Sequence, residues 1–103
     1  MKNELINGVY EYTPDFVTEI FTSKDETALY VTFNLSQMTD DERNDYEDGL
    51  IDEEAVAWKA IEDEGFEMGD WLYIARTWCG DEVYRHTFHS LEYEQSCGNC
   101  TPA

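Results

Sequence analysis

A strict alternation of apolar and polar residues marks the stretch Ala28–Leu35 as a strand. Its odd-numbered positions are all apolar from residue 29 onward, and the even-numbered positions after Ala28 hold a tyrosine, a threonine and an asparagine. This period of two predicts a half-buried antiparallel strand. The preceding run, Phe16–Thr22, is rich in β-branched and aromatic residues, and the five residues between the two runs suit a hairpin loop. A further edge strand is predicted at Gly8–Tyr12, ahead of a proline.

After these strands the pattern changes to that of a helix. Thr39 followed three residues later by Glu42 has the spacing of a capping box, and acids in the first turn suit the positive end of the helix dipole. We therefore predict a helix from Asp40 to Asp48 that stops at Gly49. Only Tyr46 offers substantial apolar area in it, so most of its surface is predicted to be solvated and charged.

A second helix is predicted to start after Asp52, which would be its N-cap, and to end at Gly65 in the C′ position. Its apolar side chains share one broad face, with Trp58 at the margin and Lys59 pointing away. The face that can dock on a sheet comprises Val56, Ala57, Ala60 and Ile61.

Two aromatic-rich strands follow, at Trp71–Trp78 and Glu82–Glu94, and the Gly-Asp pair between them has hairpin chemistry. The order β-β-α-α-β-β predicts an α+β fold, with an antiparallel sheet of four or five strands and the two central helices on one side. We predict one domain over residues 1–96 and a flexible tail over 97–103.

Most aromatic side chains of the last two predicted strands should be core. Some on an uncovered face could anchor a partner, the candidates being Trp71, Tyr73 and Tyr84.

The charge balance makes this otherwise ordinary domain unusual. The 103 residues include 24 acids and only six lysines and arginines, a formal net charge of −18. Because 42% of the residues are hydrophobic and 15% are aromatic, the chain is not a disordered acidic tail. Such a surface repels nucleic acid and anionic membranes, and it attracts a cationic protein or a metal ion.

Targeting signals are not apparent in the sequence. No run approaches the length of an apolar membrane span, and the first ten residues lack the apolar core of a secretory signal. Three cysteines, an odd number, argue against a closed disulfide framework and for a reducing compartment. We therefore expect a cytoplasmic location.

The acids concentrate between Asp40 and Asp70, where fourteen of them face only Arg43 and Lys59, a net charge of −12 over 31 residues. A mostly helical stretch would carry about one net negative charge per 4 Å, close to the phosphate spacing of about 3.4 Å on one DNA strand. Like charges at i and i+4 destabilise a helix, so partner binding explains the run better than helix stability does, and an ordinary solvated face is the alternative. The predicted partner-binding residues are Asp40, Asp41, Glu42, Asp45, Glu47, Asp48, Asp52, Glu53, Glu62, Asp63, Glu64 and Glu67.

In size, in its excess of Asp and Glu, and in the acid-laden helical segment between aromatic-rich strands, the chain resembles the small acidic DNA-mimic proteins. Many of these are phage-encoded inhibitors of restriction enzymes, CRISPR effectors or other DNA-binding proteins. The resemblance implies that carboxylates take the positions of phosphates and are bound by arginines and lysines of a DNA groove. The implied partner is a basic nucleic-acid-binding protein, such as a host defence nuclease or effector complex, and not nucleic acid or a membrane.

Calcium binding and catalysis have little support. The EF-hand template fails, because placing Gly49 at its invariant glycine puts Ala55 where a glutamate is required. The sequence has no Ser/His/Asp constellation, no glycine-rich nucleotide loop and no zinc-protease motif. We therefore expect no enzyme and no cofactor.

A small zinc-binding module is one alternative to mimicry. Cys97 and Cys100 have the C-x2-C spacing of structural zinc ligands, and Cys79 with one histidine could complete a set. His86 and His89 should point to opposite faces of a strand, so at most one of them would join. The other alternative is an acidic adaptor or antitoxin-like module that binds a basic protein without competing with nucleic acid.

Overall fold

The computed structural model describes residues 4–92, which form two helices and six strands. In chain order these are β1 (Leu5–Ile6), β2 (Val9–Tyr10), β3 (Val17–Thr22), β4 (Ala28–Asn34), α1 (Asp40–Glu47), α2 (Glu53–Asp63), β5 (Trp71–Gly80) and β6 (Val83–Ser90). Short 3-10 helices occupy Leu35–Gln37 and Met68–Asp70. The fold class is α+β, as predicted.

The main sheet is antiparallel, with four strands in the order β3-β4-β6-β5. Its two central strands, β4 and β6, come from opposite ends of the chain and place Leu29 opposite Phe88 and Phe33 opposite Tyr84. The face predicted for β4 is confirmed, since Leu29, Val31 and Phe33 are fully buried, but Thr32 on the opposite face is buried as well. The sheet therefore has one apolar face.

Helix α2 covers that face. Its four buried residues are the predicted ones, Val56, Ala57, Ala60 and Ile61. They join the buried side chains of β4 and Phe88 of β6 in one core, and Phe16 closes the core with its ring edge-on to Phe33 at 5.3 Å between centroids. Helix α2 thus fixes where the acid-rich segment lies relative to the sheet.

The predicted fifth strand forms, but not in the main sheet. Val9 and Tyr10 pair with Leu5 and Ile6 in a separate two-stranded sheet. Two consecutive residues with positive φ, Asn7 at 55° and Gly8 at 87°, make the tight turn between these strands. An Asn-Gly pair favours this two-residue turn, which returns the chain on itself before it can reach the main sheet.

The last strand is shorter than predicted, because β6 ends at Ser90. The end of the predicted segment Glu82–Glu94 and the predicted tail 97–103 lie outside the described residues. Across residues 4–92, no helix is long and apolar enough to cross a membrane.

Candidate partner-binding surface

Helix α1 carries the densest charge, with six acids and one arginine in residues 40–48, and its N-terminus is fully capped. The backbone N–H of Thr39 donates to Oε1 of Glu42 at 2.8 Å, and the N–H of Glu42 donates to Oγ1 of Thr39 at 3.2 Å. This capping box was predicted and is confirmed. The two hydrogen bonds of the box stabilise the helix, and Asp40 and Asp41 in its first turn interact favourably with the positive end of the helix dipole. Both effects offset part of the repulsion among the acids.

Two arginines and the half-buried Tyr46 attach α1 to the rest of the fold, although none of its residues is fully buried. Arg43 forms an ion pair with Glu82, in the turn between β5 and β6, and donates to the carbonyl oxygen of Leu35 at 2.9 Å. Arg76 of β5 donates to the hydroxyl of Tyr46 at 3.3 Å. The hydrogen bond from Arg43 holds the pKa of the Glu82 carboxyl below its ordinary value. Helix α1 is therefore held at its inner side by these polar contacts and by the packing of Tyr46 against the core.

Most of the lysines and arginines within residues 4–92 make contacts inside the fold. Besides the ion pair of Arg43, Lys59 lies 3.1 Å from Asp63, and Arg76 lies 3.2 Å from Glu53. Arg85 stacks over two aromatic rings on the other face of the sheet. Four of the five lysines and arginines within residues 4–92 are thus engaged in contacts within the fold.

Three carboxylates follow one side of α1, and we call Asp41, Asp45 and Asp48 the acidic stripe. Their spacing of i, i+4 and i+7 places them on one helical face, over about 10 Å of axis. Asp41 and Asp48 are exposed, whereas Asp45 is half-buried. The exposed side chains of Asp40 and Glu47 flank the stripe. This surface fits a row of cationic side chains.

A groove runs beside the acidic stripe, between α1 and the β1–β2 hairpin, with a volume of about 1020 Å³. Tyr10 lies at its base and is 4% exposed. Burial, and then the carboxylates of Asp45, Glu42 and Asp41, raise the pKa of Tyr10, so its phenol stays neutral. The acids that line the groove are Glu4, Asp15, Asp41, Glu42 and Asp45.

Three of the predicted acids have structural roles in and around α2. Asp52 caps its N-terminus, accepting from the N–H of Ala55 at 3.2 Å. Asp63 accepts from the hydroxyl of Thr13 at 2.6 Å as well as pairing with Lys59. Burial opposes the ionisation of Asp63, but these two partners hold its pKa below the ordinary value. Glu53, the third, points inward.

Glu53 lies on the core side of α2, one turn before the buried Val56 and Ala57. Its Oε1 is 3.2 Å from Nε of Arg76 and 3.6 Å from Nε2 of the fully buried His86. The hydroxyl of Tyr73 lies 2.9 Å from Nδ1 of His86. Burial raises the pKa of Tyr73, so its phenol stays neutral and shares a hydrogen bond with Nδ1 of His86.

The remaining predicted acids, Glu62, Glu64 and Glu67, are exposed at the C-terminal end of α2 and in the loop after it. They lie about 15 Å along the helix axis from the turn that joins α1 to α2. The structure therefore does not arrange the twelve residues as one continuous line of charge. It forms one group on α1 and a second at the far end of α2.

The aromatic candidates for interface anchors pack inward. Trp71, Tyr73 and Tyr84 are half-buried against the core, on the face that carries α2. The ring of Tyr73 is edge-on to Phe88, with 5.3 Å between centroids, and Arg76 stacks over Tyr84 at 3.9 Å. The expectation that these three side chains lie on an uncovered face is therefore wrong.

Only some of the candidate zinc ligands lie within the described residues. His86 and His89 lie on opposite faces of β6, as predicted, because the strand alternates and His86 faces the core. Cys79 is exposed on β5, whereas Cys97 and Cys100 lie outside the described residues. Among residues 4–92, no three His, Cys, Asp or Glu side chains are grouped to hold a metal ion.

Sequence reasoning missed the arginines that position α1. The partners of Arg43 and Arg76 lie 39 and 30 residues away, at Glu82 and Tyr46, so no local pattern reveals them. Comparisons of the chain with family models, with curated proteins and with solved structures give no match.

Proposed function

We propose that this protein acts by binding, as an acidic mimic of nucleic acid that occupies the DNA- or RNA-binding site of a basic protein. The setting that fits best is counter-defence by a phage in the cytoplasm of its host, of the anti-restriction or anti-CRISPR kind. The observation that carries the proposal is the acidic stripe, displayed on a helix that is capped and held by two arginines.

The mode of binding follows from the chemistry of carboxylates. Arginines and lysines that donate hydrogen bonds to phosphates can donate charge-assisted hydrogen bonds to carboxylates as well. A net charge of −18 steers a cationic surface toward this protein before contact, which raises the association rate. Once Asp41, Asp45 and Asp48 occupy the phosphate positions, the groove of the target is closed to its own ligand.

Positioning matters as much as charge. A disordered acidic segment would lose conformational entropy on binding, whereas α1 is already ordered by its capping box and by Arg43. The inward Glu53 and the paired Asp63 serve the scaffold and are not expected to contact the target. The predicted contact residues are thus mainly those of α1.

The first experiment identifies the target and removes nucleic acid as a bridge. The protein is immobilised and exposed to nuclease-treated bacterial lysate, and retained proteins are identified by mass spectrometry. The purified target is then titrated with labelled duplex DNA or RNA in the presence of this protein. We expect competition, with affinity falling steeply between about 50 and about 200 mM salt.

A triple variant, D41N, D45N and D48N, should lose most of the competition. The matched control is E19Q, D81N and E92Q, which removes the same number of charges from exposed positions outside α1. Simultaneous binding of target and nucleic acid would overturn mimicry and favour an adaptor or antitoxin-like module. Equal effects of the two triple variants would show that net charge, and not the acidic stripe, determines binding.

A further inference from the structure

A shallow apolar slot lies on the outer side of α2, away from the acidic stripe. It has a volume of about 640 Å³ and is formed where α2 meets the 3-10 helix Met68–Asp70. Its floor is the indole of Trp58, and one wall is Met68, which is 39% exposed. The residues that line it are Ala55, Trp58, Lys59, Glu62, Met68 and Gly69.

Trp58 has contacts on two sides at the base of this slot. Its ring packs edge-on against the buried Phe88, with 4.7 Å between centroids. Its Nε1 donates to Oε2 of Glu54 at 3.4 Å. An indole fixed on two sides loses little side-chain entropy when a partner covers it, which is the property of an interface anchor.

The rim of the slot is acidic. Glu54 and Glu62 lie one helical turn before and after Trp58, and Glu67 and Asp70 lie beside Met68 and Gly69; all four acids are exposed. The single cation of the lining, Lys59, is paired with Asp63. Because Asp63 offsets the charge of Lys59, the four rim acids give the slot a local charge of −4. An apolar centre within a polar rim is the usual anatomy of a binding surface.

We propose that this slot binds one apolar side chain, of about the size of leucine or phenylalanine, from a segment whose neighbouring residues are lysine or arginine. The apolar side chain covers Trp58 and Met68, while the flanking cations reach the rim acids. The inference rests on the proposed function in taking a basic protein as the partner. A second copy of this chain is a poor occupant, because its own charge of −18 is repelled by the rim.

Two labelled peptides test the slot without knowledge of the target. Both are short and rich in lysine and arginine, and they differ only in a central leucine or alanine. Fluorescence anisotropy at low salt should show the leucine peptide binding about tenfold more tightly to the full-length protein. Equal affinities of the two peptides would overturn the proposal.

Variants of the slot provide the second arm. M68A should remove most of the leucine preference, and G69L should block the slot; a Cβ at Gly69 meets no atom within 4 Å, so the fold has room for it. The control I74A removes similar exposed apolar area on β5 and should leave the preference intact, since Ile74 is 42% exposed and outside the slot. If I74A acts like M68A, the slot is not the binding site.

The outcomes separate this inference from the proposed function. The triple variant D41N, D45N and D48N should weaken both peptides alike and leave the leucine preference unchanged. If the parent protein competes with nucleic acid but binds both peptides equally, the slot proposal is wrong and the proposed function stands. If the parent protein prefers the leucine peptide but does not compete with nucleic acid for the target, the mimicry proposal is wrong and the slot proposal stands. A dimer on gel filtration that M68A abolishes would assign the slot to a second copy and overturn the basic-segment proposal.

Discussion

Oε1 of Glu53 lies 3.2 Å from Nε of Arg76, so one acid of the most acidic segment is turned into the fold. Arg76 also donates to Tyr46 of α1 and stacks over Tyr84 of β6. One arginine thereby links α2, β5, β6 and the helix that carries the acidic stripe. This explains how helices with strong mutual repulsion stay in place.

Replacing Arg76 by methionine should therefore destabilise the protein. R76M keeps the apolar stem but leaves the carboxylate of Glu53 half-buried without the guanidinium that pairs with it, at an expected cost of about 1–3 kcal/mol in the free energy of unfolding. Urea denaturation measures this cost. The double variant R76M and E53Q should be more stable than R76M alone, because no unpaired charge remains. A stability of R76M equal to that of the parent protein would show that the pair is not structural.

The turn of the β1–β2 hairpin should not tolerate a side chain at Gly8. G8A places a methyl group 2.9 Å from Cβ of Asp52 and forces alanine to a φ of 87°. We expect a loss of about 1–3 kcal/mol, because left-handed strain and the clash with the N-cap of α2 add together. Thermal unfolding followed by circular dichroism measures it. The control G69A, at an open position, should change stability by no more than about 0.5 kcal/mol.

Stability should respond to acid through Asp63. Its pKa is below the ordinary value in the folded state, so its contribution is present above about pH 4 and is lost as pH falls through the folded pKa. Urea midpoints of the parent and of D63N at pH 7, 4 and 2 test this. The difference in urea midpoint between the parent and D63N should become smaller at pH 2. A constant gap would mean that ionisation of Asp63 does not contribute.

The acidic stripe should cost stability while it provides binding. In the D41N, D45N and D48N variant, like-charge repulsion within α1 is relieved, and we expect a gain of a few tenths of a kcal/mol for the i, i+4 pair Asp41 and Asp45. The same variant should lose competition with nucleic acid, so stability and binding move in opposite directions. Thermal unfolding compared with E19Q, D81N and E92Q removes the general effect of net charge. A destabilised stripe variant would show that the contacts of these carboxylates outweigh the repulsion between them.

Local sequence signals predicted the regular elements well, because their causes are local. Thr39, Asp52 and Gly65 mark helix ends by hydrogen bonds or backbone conformation that involve only a few residues. The pairing of β1 with β2 also had a local signal, the Asn7-Gly8 pair between apolar residues, which competes with the prediction of a strand in the main sheet.

The site was harder to predict, because side-chain direction depends on tertiary packing. Glu53 shares a helical face with Val56 and Ala57, so the helical wheel contained the signal that it points inward. The roles of Arg43 and Arg76 contained none, since their acceptors come from distant parts of the chain. Composition revealed how much charge the protein carries. The division of that charge between α1 and the C-terminal end of α2 depends on how α2 packs, which composition does not reveal.

Helix α1 buries none of its own residues, and this has an evolutionary consequence. Substitutions on its outer side encounter no core, so the spacing of its carboxylates can change without disturbing the packing of the fold. The constraint falls instead on Arg43 and Arg76, which hold the helix in place from its inner side. Under the proposed function, such a division would let recognition diversify rapidly on a frame that stays fixed.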